Sequence, residues 1–459
     1  MKPERLTLDG WDARYESLKR SGLREPPYGG SLRRHVDEGG DLRLRRLAFD
    51  DSAAALRLWN FLLTEEDRLR EARATGKLLV GTMKDLGTVP VMAFAYPNVA
   101  AFYPDGAWWI PCVMEMSAGL LEIADSLGID DSFCPVRAML GAFVTQAHFP
   151  IPDLLTCSVG ATCDDFSSIA QRLEGLGHPI LWWEMPHRRV PQLGEDAVRL
   201  PGTFSAPKDQ VDFVRGELSR IRAAIDQAAG HTLTDEELQM GIECANRVRA
   251  ILRELRTLAY TVDPTPMPAL EMLIAEMLAI HFCSDRDESE AVLTELLDET
   301  RARSDAGIGV LEPGAAKVFW VNPVADLRAM NVLEESGGRV CGTEYLFAHA
   351  LDPLPTDVEP MEALARAALA DPMVGGAAQR AARICHDVEE FGAEAVLVSR
   401  IPGASHCALE GRLIAEAVRG ELGLPVVELE VPPLTDAGLP TLRTRIEALV
   451  ETVMERRKT

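Results

Sequence analysis

The sequence predicts an α/β protein: two parallel-sheet units bridged by helices, with a helical region in front. Three observations lead there. Short apolar runs recur in two separate stretches of the chain, helix-like segments alternate with them in both, and a long helical pattern lies between. Buried strands interleaved with helices are the signature of a parallel sheet covered on both faces. The length of 459 residues is more than a single core usually holds.

Taken in order, residues 1–75 read as helical, rich in Leu and Arg as in 53–69, with no strand pattern. A first α/β unit is expected over 76–206. Its strands fall at 77–83 (KLLVGTM), 89–95 (VPVMAFA), 153–159 (DLLTCSV) and 179–186 (PILWWEMP), and its helices include 116–126 and 135–147. Residues 207–305 carry a helical pattern. Within them Thr234 and Glu237 fit a capping box, opening a helix whose Leu238, Ile242, Val248, Ile251, Leu252 and Leu255 recur at helical spacing. The second α/β unit, 306–459, has strands at 316–321 (AKVFWV), 338–343, 394–401 and 425–430, with helices near 324–336, 360–370, 377–391 and 408–421. Both units are expected to be Rossmann-like, although no sequence repeat marks them as duplicates.

Composition excludes several classes. The chain is 47% hydrophobic and 26% charged, ordinary for a globular protein. A formal charge of −24 argues against nucleic acid and against an anionic membrane face. The N-terminus is charged throughout, without the apolar core of a signal peptide, and no stretch approaches the roughly 20 apolar residues that span a bilayer. A cytoplasmic protein is the expectation. Nine cysteines in a reducing compartment do not make a disulfide framework, so most should be buried thiols and the rest reactive groups or metal ligands.

Open α/β sheets bind ligands beyond the carboxyl ends of their strands, and that rule sorts the cysteines. Cys163 follows one strand and precedes a helix expected near Asp164. Cys407 holds the equivalent place in the second unit, ahead of a helix expected near Ala408. Cys134 precedes Pro135, a residue favoured at the first helical position. All three fall at or near helix N-termini, where amides and the helix dipole stabilise a thiolate. Of the others, Cys157 and Cys341 fall in strands and Cys244 and Cys385 in helices, while Cys112 and Cys283 are ambiguous. No C-x-x-C pair or paired-histidine spacing suggests zinc. Phosphate-binding glycine motifs and a nucleophile elbow are absent as well.

The segments carrying these cysteines resemble a known family. F-C-P-V-R at 133–137 and P-D-L-L-T-C-S-V-G-A-T-C-D-D at 152–165 are similar to its first and second cluster-cysteine settings. G-H-T-L-T-D-E-E-L at 230–238, with Asn246 and Arg249, is similar to its interdomain helix. A-E-A-V-L-V-S-R-I-P-G-A-S-H-C at 393–407 resembles the strand leading to its third cysteine. G-L-P-V-V-E-L-E at 423–430 with T-R-I-E-A-L-V-E at 444–451 resembles its C-terminal end. The family is that of the 2-hydroxyacyl-CoA dehydratases and benzoyl-CoA reductases, and the likeness runs over about 77–459. It implies a 4Fe–4S cluster on Cys134, Cys163 and Cys407, which leaves one iron open to a substrate oxygen. It also implies an acyl-CoA substrate, a second family subunit in a homo- or heterodimer, and a separate ATP-dependent iron–sulfur activator that injects one low-potential electron. The dehydratases then expel hydroxide through a ketyl radical, and the reductases reduce an aromatic ring.

The likeness has departures. Members often carry P-x-E before A-x-G, but P-C-V-M-E-M-S-A-G at 111–119 has Val113 at that place, with Glu115 two positions on. Pro432 stands where an Asp is usual. Glu115 and His406 are the candidate catalytic residues; a surface or capping role is the plainer reading of His406. Two alternatives follow from the same resemblance. A double-cubane-cluster reductase would need additional cysteines where H-F-P-I at 148–151 and D-P-M-V at 371–374 stand. A non-catalytic partner subunit would explain the missing glutamate. Trp182 and Trp183 read as core or interface, Asp164 and Asp165 as helix caps, and Arg380 and Arg383 as a solvated helix face or as contacts to CoA phosphates.

Overall fold

The computed structural model describes residues 3–38, 42–85, 87–105, 117–281, 284–322, 324, 326–345, 348–431 and 436–459. The N-terminal region is helical as expected, with α1 (Leu8–Arg20), α2 (Arg33–Asp37), α3 (Ala53–Leu63) and α4 (Glu65–Ala74). Thr7 and Ser52 cap α1 and α3 by accepting from the amides of Gly10 and Ala55. Against the expectation of no strand in this region, β1 (Arg5–Leu6) and β2 (Phe49–Asp50) pair antiparallel. Two-residue strands are too short to show a period, so only the pairing reveals them.

The first sheet has the order β4-β3-β5-β6, all parallel, from β3 (Leu78–Met83), β4 (Val99–Phe102), β5 (Leu154–Gly160) and β6 (Ile180–Met185). The apolar run at 89–95 is a correction. It forms helix α5 (Val89–Phe94), not a strand, and the second strand is β4. The reason lies just upstream: the Asp85 carboxylate accepts from the amides of Thr88 and Val89 at 3.0 and 2.7 Å, and Pro90 sits in the first turn. Every residue of α5 is buried, so an apolar face all round hides the helical period. Helices α6 (Ser117–Ser126), α7 (Ala138–Thr145) and α8 (Asp164–Gly175) complete the unit, followed by the hairpin β7 (Ala197–Arg199) and β8 (Ser205–Pro207).

The helical bridge consists of α9 (Lys208–Ala229), α10 (Asp235–Thr261), α11 (Ala269–His281) and α12 (Arg286–Asp305). Thr234 and Glu237 form the anticipated capping box. With 27 residues, α10 is about 40 Å long at 1.5 Å per residue. It packs on α5 of the first unit and on strand β10 (Gly338–Glu344) of the second, so it touches both. The second sheet has the order β10-β9-β11-β12, again all parallel, with β9 (Ala316–Val321), β11 (Ala395–Arg400) and β12 (Val426–Glu430). Around it lie α13 (Arg328–Glu335), α14 (Pro360–Ala370), α15 (Ala377–Glu390), α16 (Ser405–Leu422) and α17 (Leu439–Arg456). Apart from the half-buried Lys317, β9 is buried throughout, because helices cover both of its faces. Among the described residues no helix is long and apolar enough to cross a membrane.

Candidate functional site

In each sheet the chain runs to one side of the first strand and then returns to its other side. The reversal therefore falls between β3 and β5 in the first unit, and between β9 and β11 in the second. Such switch points open a crevice at the strand carboxyl ends. The residues beyond those ends are built alike. Met83 pairs with Cys157 and Val321 with Val398 as the last registered partners, so Lys84 stands opposite Ser158 and Asn322 opposite Ser399. Lys84 has φ 59 and Asn322 has φ 67, a left-handed backbone that side-chain-bearing residues rarely adopt. In both units the strand serine pins that turn. Ser158 Oγ donates to the Lys84 carbonyl at 2.6 Å, and Ser399 Oγ bonds the Asn322 carbonyl at 2.9 Å.

The first unit places two of the candidate cysteines near its crevice. Cys163 is half-buried and is the N-cap residue of α8, as the sequence suggested. Its thiol donates to Asp165 Oδ2 at 3.4 Å. Burial pushes the Cys163 thiol up to about 12; the Asp165 and Phe166 amides offset part of that rise without making a full capping bond. Cys134, also half-buried, precedes a 3-10 turn, Pro135–Arg137. Arg137 braces that loop: its guanidinium donates to the Phe133 carbonyl at 3.2 Å and to Asp125 of α6 at 3.3 Å.

The second unit docks on this loop. Gly403, with φ 79, lies so close to Phe133 that a Cβ would collide with the Phe133 carbonyl oxygen, and it would meet the Asp131 carbonyl at 3.0 Å. Ile401 and Ala404 join the apolar cluster that also holds Phe133, Cys134 and Phe166. Helix α16 packs against α8, and the 3-10 turn after Cys134 packs against α8 as well. The three elements that carry Cys134, Cys163 and Cys407 thus adjoin one another. Helix α16 begins at Ser405, three residues earlier than expected, so Cys407 lies inside its first turn. The side chains of His406 and Cys407 lie outside the described residues, as does all of Glu115.

Several other expectations resolve. Cys157 and Cys341 are buried in strands, and Cys385 is buried in α15. Trp183 is core, and the partly exposed Trp182 donates to Glu174 at 3.0 Å. Arg380 does not lie on a solvated face. It is fully buried, donating to Glu344 at 3.0 and 2.7 Å, to Glu410 of α16 at 2.8 Å and to Asn322 at 2.6 Å. Arg383 is tied to Asp352 and Asp387. A helical period shows the Arg383–Asp387 pair within α15 but not that Arg380 turns inward to Glu344 and Glu410, or Arg383 to Asp352, on other segments.

Lys84 is the residue the sequence reading passed over. It is buried, and its ammonium lies 3.3 Å from Ser167 Oγ of α8, beside Cys157, Cys163, Asp164 and Asp165. Burial lowers its pKa, against the pull of those thiols and carboxylates. A signal was present: M-K-D directly follows an apolar strand at a carboxyl end, the place already used to sort the cysteines.

With this geometry in hand, comparison with known proteins gives the class. Residues 94–453 match the family model of the 2-hydroxyglutaryl-CoA dehydratase D-component, and the chain belongs to that family. It is also similar to YjiM of Escherichia coli (strain K12), which bears the name of a dehydratase subunit. The two are 25% identical over 408 residues, covering 84% of this chain and 97% of that protein.

Proposed function

We propose that this dehydratase-family chain is the iron–sulfur subunit of an enzyme acting on an acyl-CoA thioester, with Cys134, Cys163 and Cys407 holding a 4Fe–4S cluster. One observation carries the reading: the segments bearing these cysteines come from both α/β units and adjoin at the strand carboxyl ends. The donor set fits. Cys134 and Cys163 are half-buried thiols outside any disulfide, each just ahead of a helical turn, and amides face the Cys163 sulfur. When bound, the cluster would supply low-potential electrons and an open iron for the thioester oxygen.

The chain's own contribution is placement and exclusion of water. Arg137 holds the Cys134 loop, the Gly403 contact closes the second unit onto it, and Ile401 and Ala404 keep that junction apolar. Glu115 and His406 are proposed to move protons for the substrate. A second family subunit and an ATP-dependent activator are the proposed partners, since the chain carries no nucleotide-phosphate motif of its own.

Iron and sulfide analysis with EPR, on protein purified without oxygen, tests this reading. About four irons per chain are expected, lost in Cys163→Ser. About eight would favour a double-cubane reductase instead. Iron-free wild-type protein would overturn the cluster and leave a non-catalytic partner subunit.

A further inference from the structure

Lys84 is held where an ammonium is poorly stabilised by its described neighbours. It is buried, and among the described residues no carboxylate forms an ion pair with it. It lies over Ser167 in the first turns of α8, at the positive end of the helix dipole, which disfavours a cation. Its own backbone is in the left-handed region, fixed there by the Ser158 hydroxyl. Asp165, one of two acids in the first turn of α8, is already engaged by the Cys163 thiol. The second unit treats its buried cation differently: Arg380 meets both Glu344 and Glu410. A buried charge persists when an opposite charge compensates it, and the first unit has no described carboxylate in that role. Beside the ammonium lie the thiols of Cys157 and Cys163 and the carboxylates of Asp164 and Asp165, and neither carboxylate forms an ion pair with it. Cys157 is closed inside β5, which leaves Cys163 as the thiol open to a ligand.

We propose that Lys84 is a positioning residue whose ammonium is the counter-charge to the thiolate-bound cluster on its Cys163 side, raising the potential at which that cluster accepts an electron. The inference rests on the iron–sulfur reading above. Reduction adds one electron and no proton, so a fixed cation nearby favours the reduced state. The left-handed turn gives the ammonium its place: it aims the side chain from the end of β3 across the crevice toward α8 rather than along the strand.

The test is a dithionite-poised redox titration, read by EPR, on anaerobically purified wild-type protein and on Lys84→Met, Lys84→Gln and Lys84→Arg, with iron content measured for each. The neutral variants are expected to keep their iron and to show about a tenfold lower reduced-to-oxidised ratio at fixed potential, which is ~59 mV for one electron. Lys84→Arg is expected to restore most of it. Loss of iron from both neutral variants but not from Lys84→Arg also supports the charge role. Iron-loaded neutral variants with unchanged potential would overturn it, as would loss of iron from all three. Iron-free wild-type protein would instead remove the iron–sulfur reading and this inference with it.

Discussion

The two α/β units share a backbone device and differ in how they handle charge. Each follows its first strand with a left-handed residue, Lys84 or Asn322, and each clasps that residue's carbonyl with a serine from the neighbouring strand. Beyond that turn they diverge. The second unit fills the crevice with a closed network in which Arg380 is matched by Glu344, Glu410 and the Asn322 amide oxygen. The first leaves a buried lysine beside thiols and the Asp164 and Asp165 carboxylates, with no described ion pair. A closed network keeps an element in place, as Glu410 does for the helix that carries Cys407, and needs nothing further. An unmatched cation is a cost the fold tolerates where something else supplies the anion. The comparison separates a crevice closed by its own charges from one whose buried cation makes no described ion pair.

The sharpest way to break this contrast is to delete each cation in the metal-free protein. Arg380→Met strands the buried Glu344 and the half-buried Glu410 and should destabilise by about 3–5 kcal/mol, read as a shift in the urea midpoint. Lys84→Met removes a charge without a carboxylate partner and should stay within about 1 kcal/mol of wild type. Equal losses would erase the distinction.

The contact between units comes next. Gly403→Ala adds a Cβ against the Phe133 carbonyl at a φ that disfavours it, with an expected loss of about 2 kcal/mol in thermal unfolding and weaker iron retention. An unchanged midpoint would mean that the loops separate at little cost.

The smallest effects probe the shared device. Ser158→Ala leaves the Lys84 carbonyl without its hydroxyl partner, at about 1 kcal/mol. Ser399→Ala should cost about 2 kcal/mol, since that hydroxyl also accepts from the Trp320 indole at 3.0 Å. A cost at one serine alone would show that the left-handed turns are held by different means.

Much of this fold was legible in the chain. The mostly apolar strands at 316–321 and 394–401, and the Thr234–Glu237 cap, appear where pattern and capping chemistry put them. Val89–Phe94 misled because a helix buried on every side has no polar face to show its period. Cys163 was legible as an N-cap, whereas Cys407 fell one turn further into its helix than the pattern indicated. The inward orientation of Arg380 was not legible, because its carboxylates lie 36 and 30 residues away in sequence.

By itself, then, the sequence determined the two-unit α/β plan, the elements on which the cysteines sit and the resemblance that family comparison bore out. These are local properties: apolar runs, caps and short motifs depend on neighbours a few residues apart. Tertiary structure alone decided that the Gly403 loop seats on Phe133, that the two strand serines occupy matching registers, and that the ammonium of Lys84 faces Cys163 while Arg380 is neutralised. Those outcomes depend on which distant segments share one buried space, and burial is what turns an ordinary charged residue into one that must find a partner.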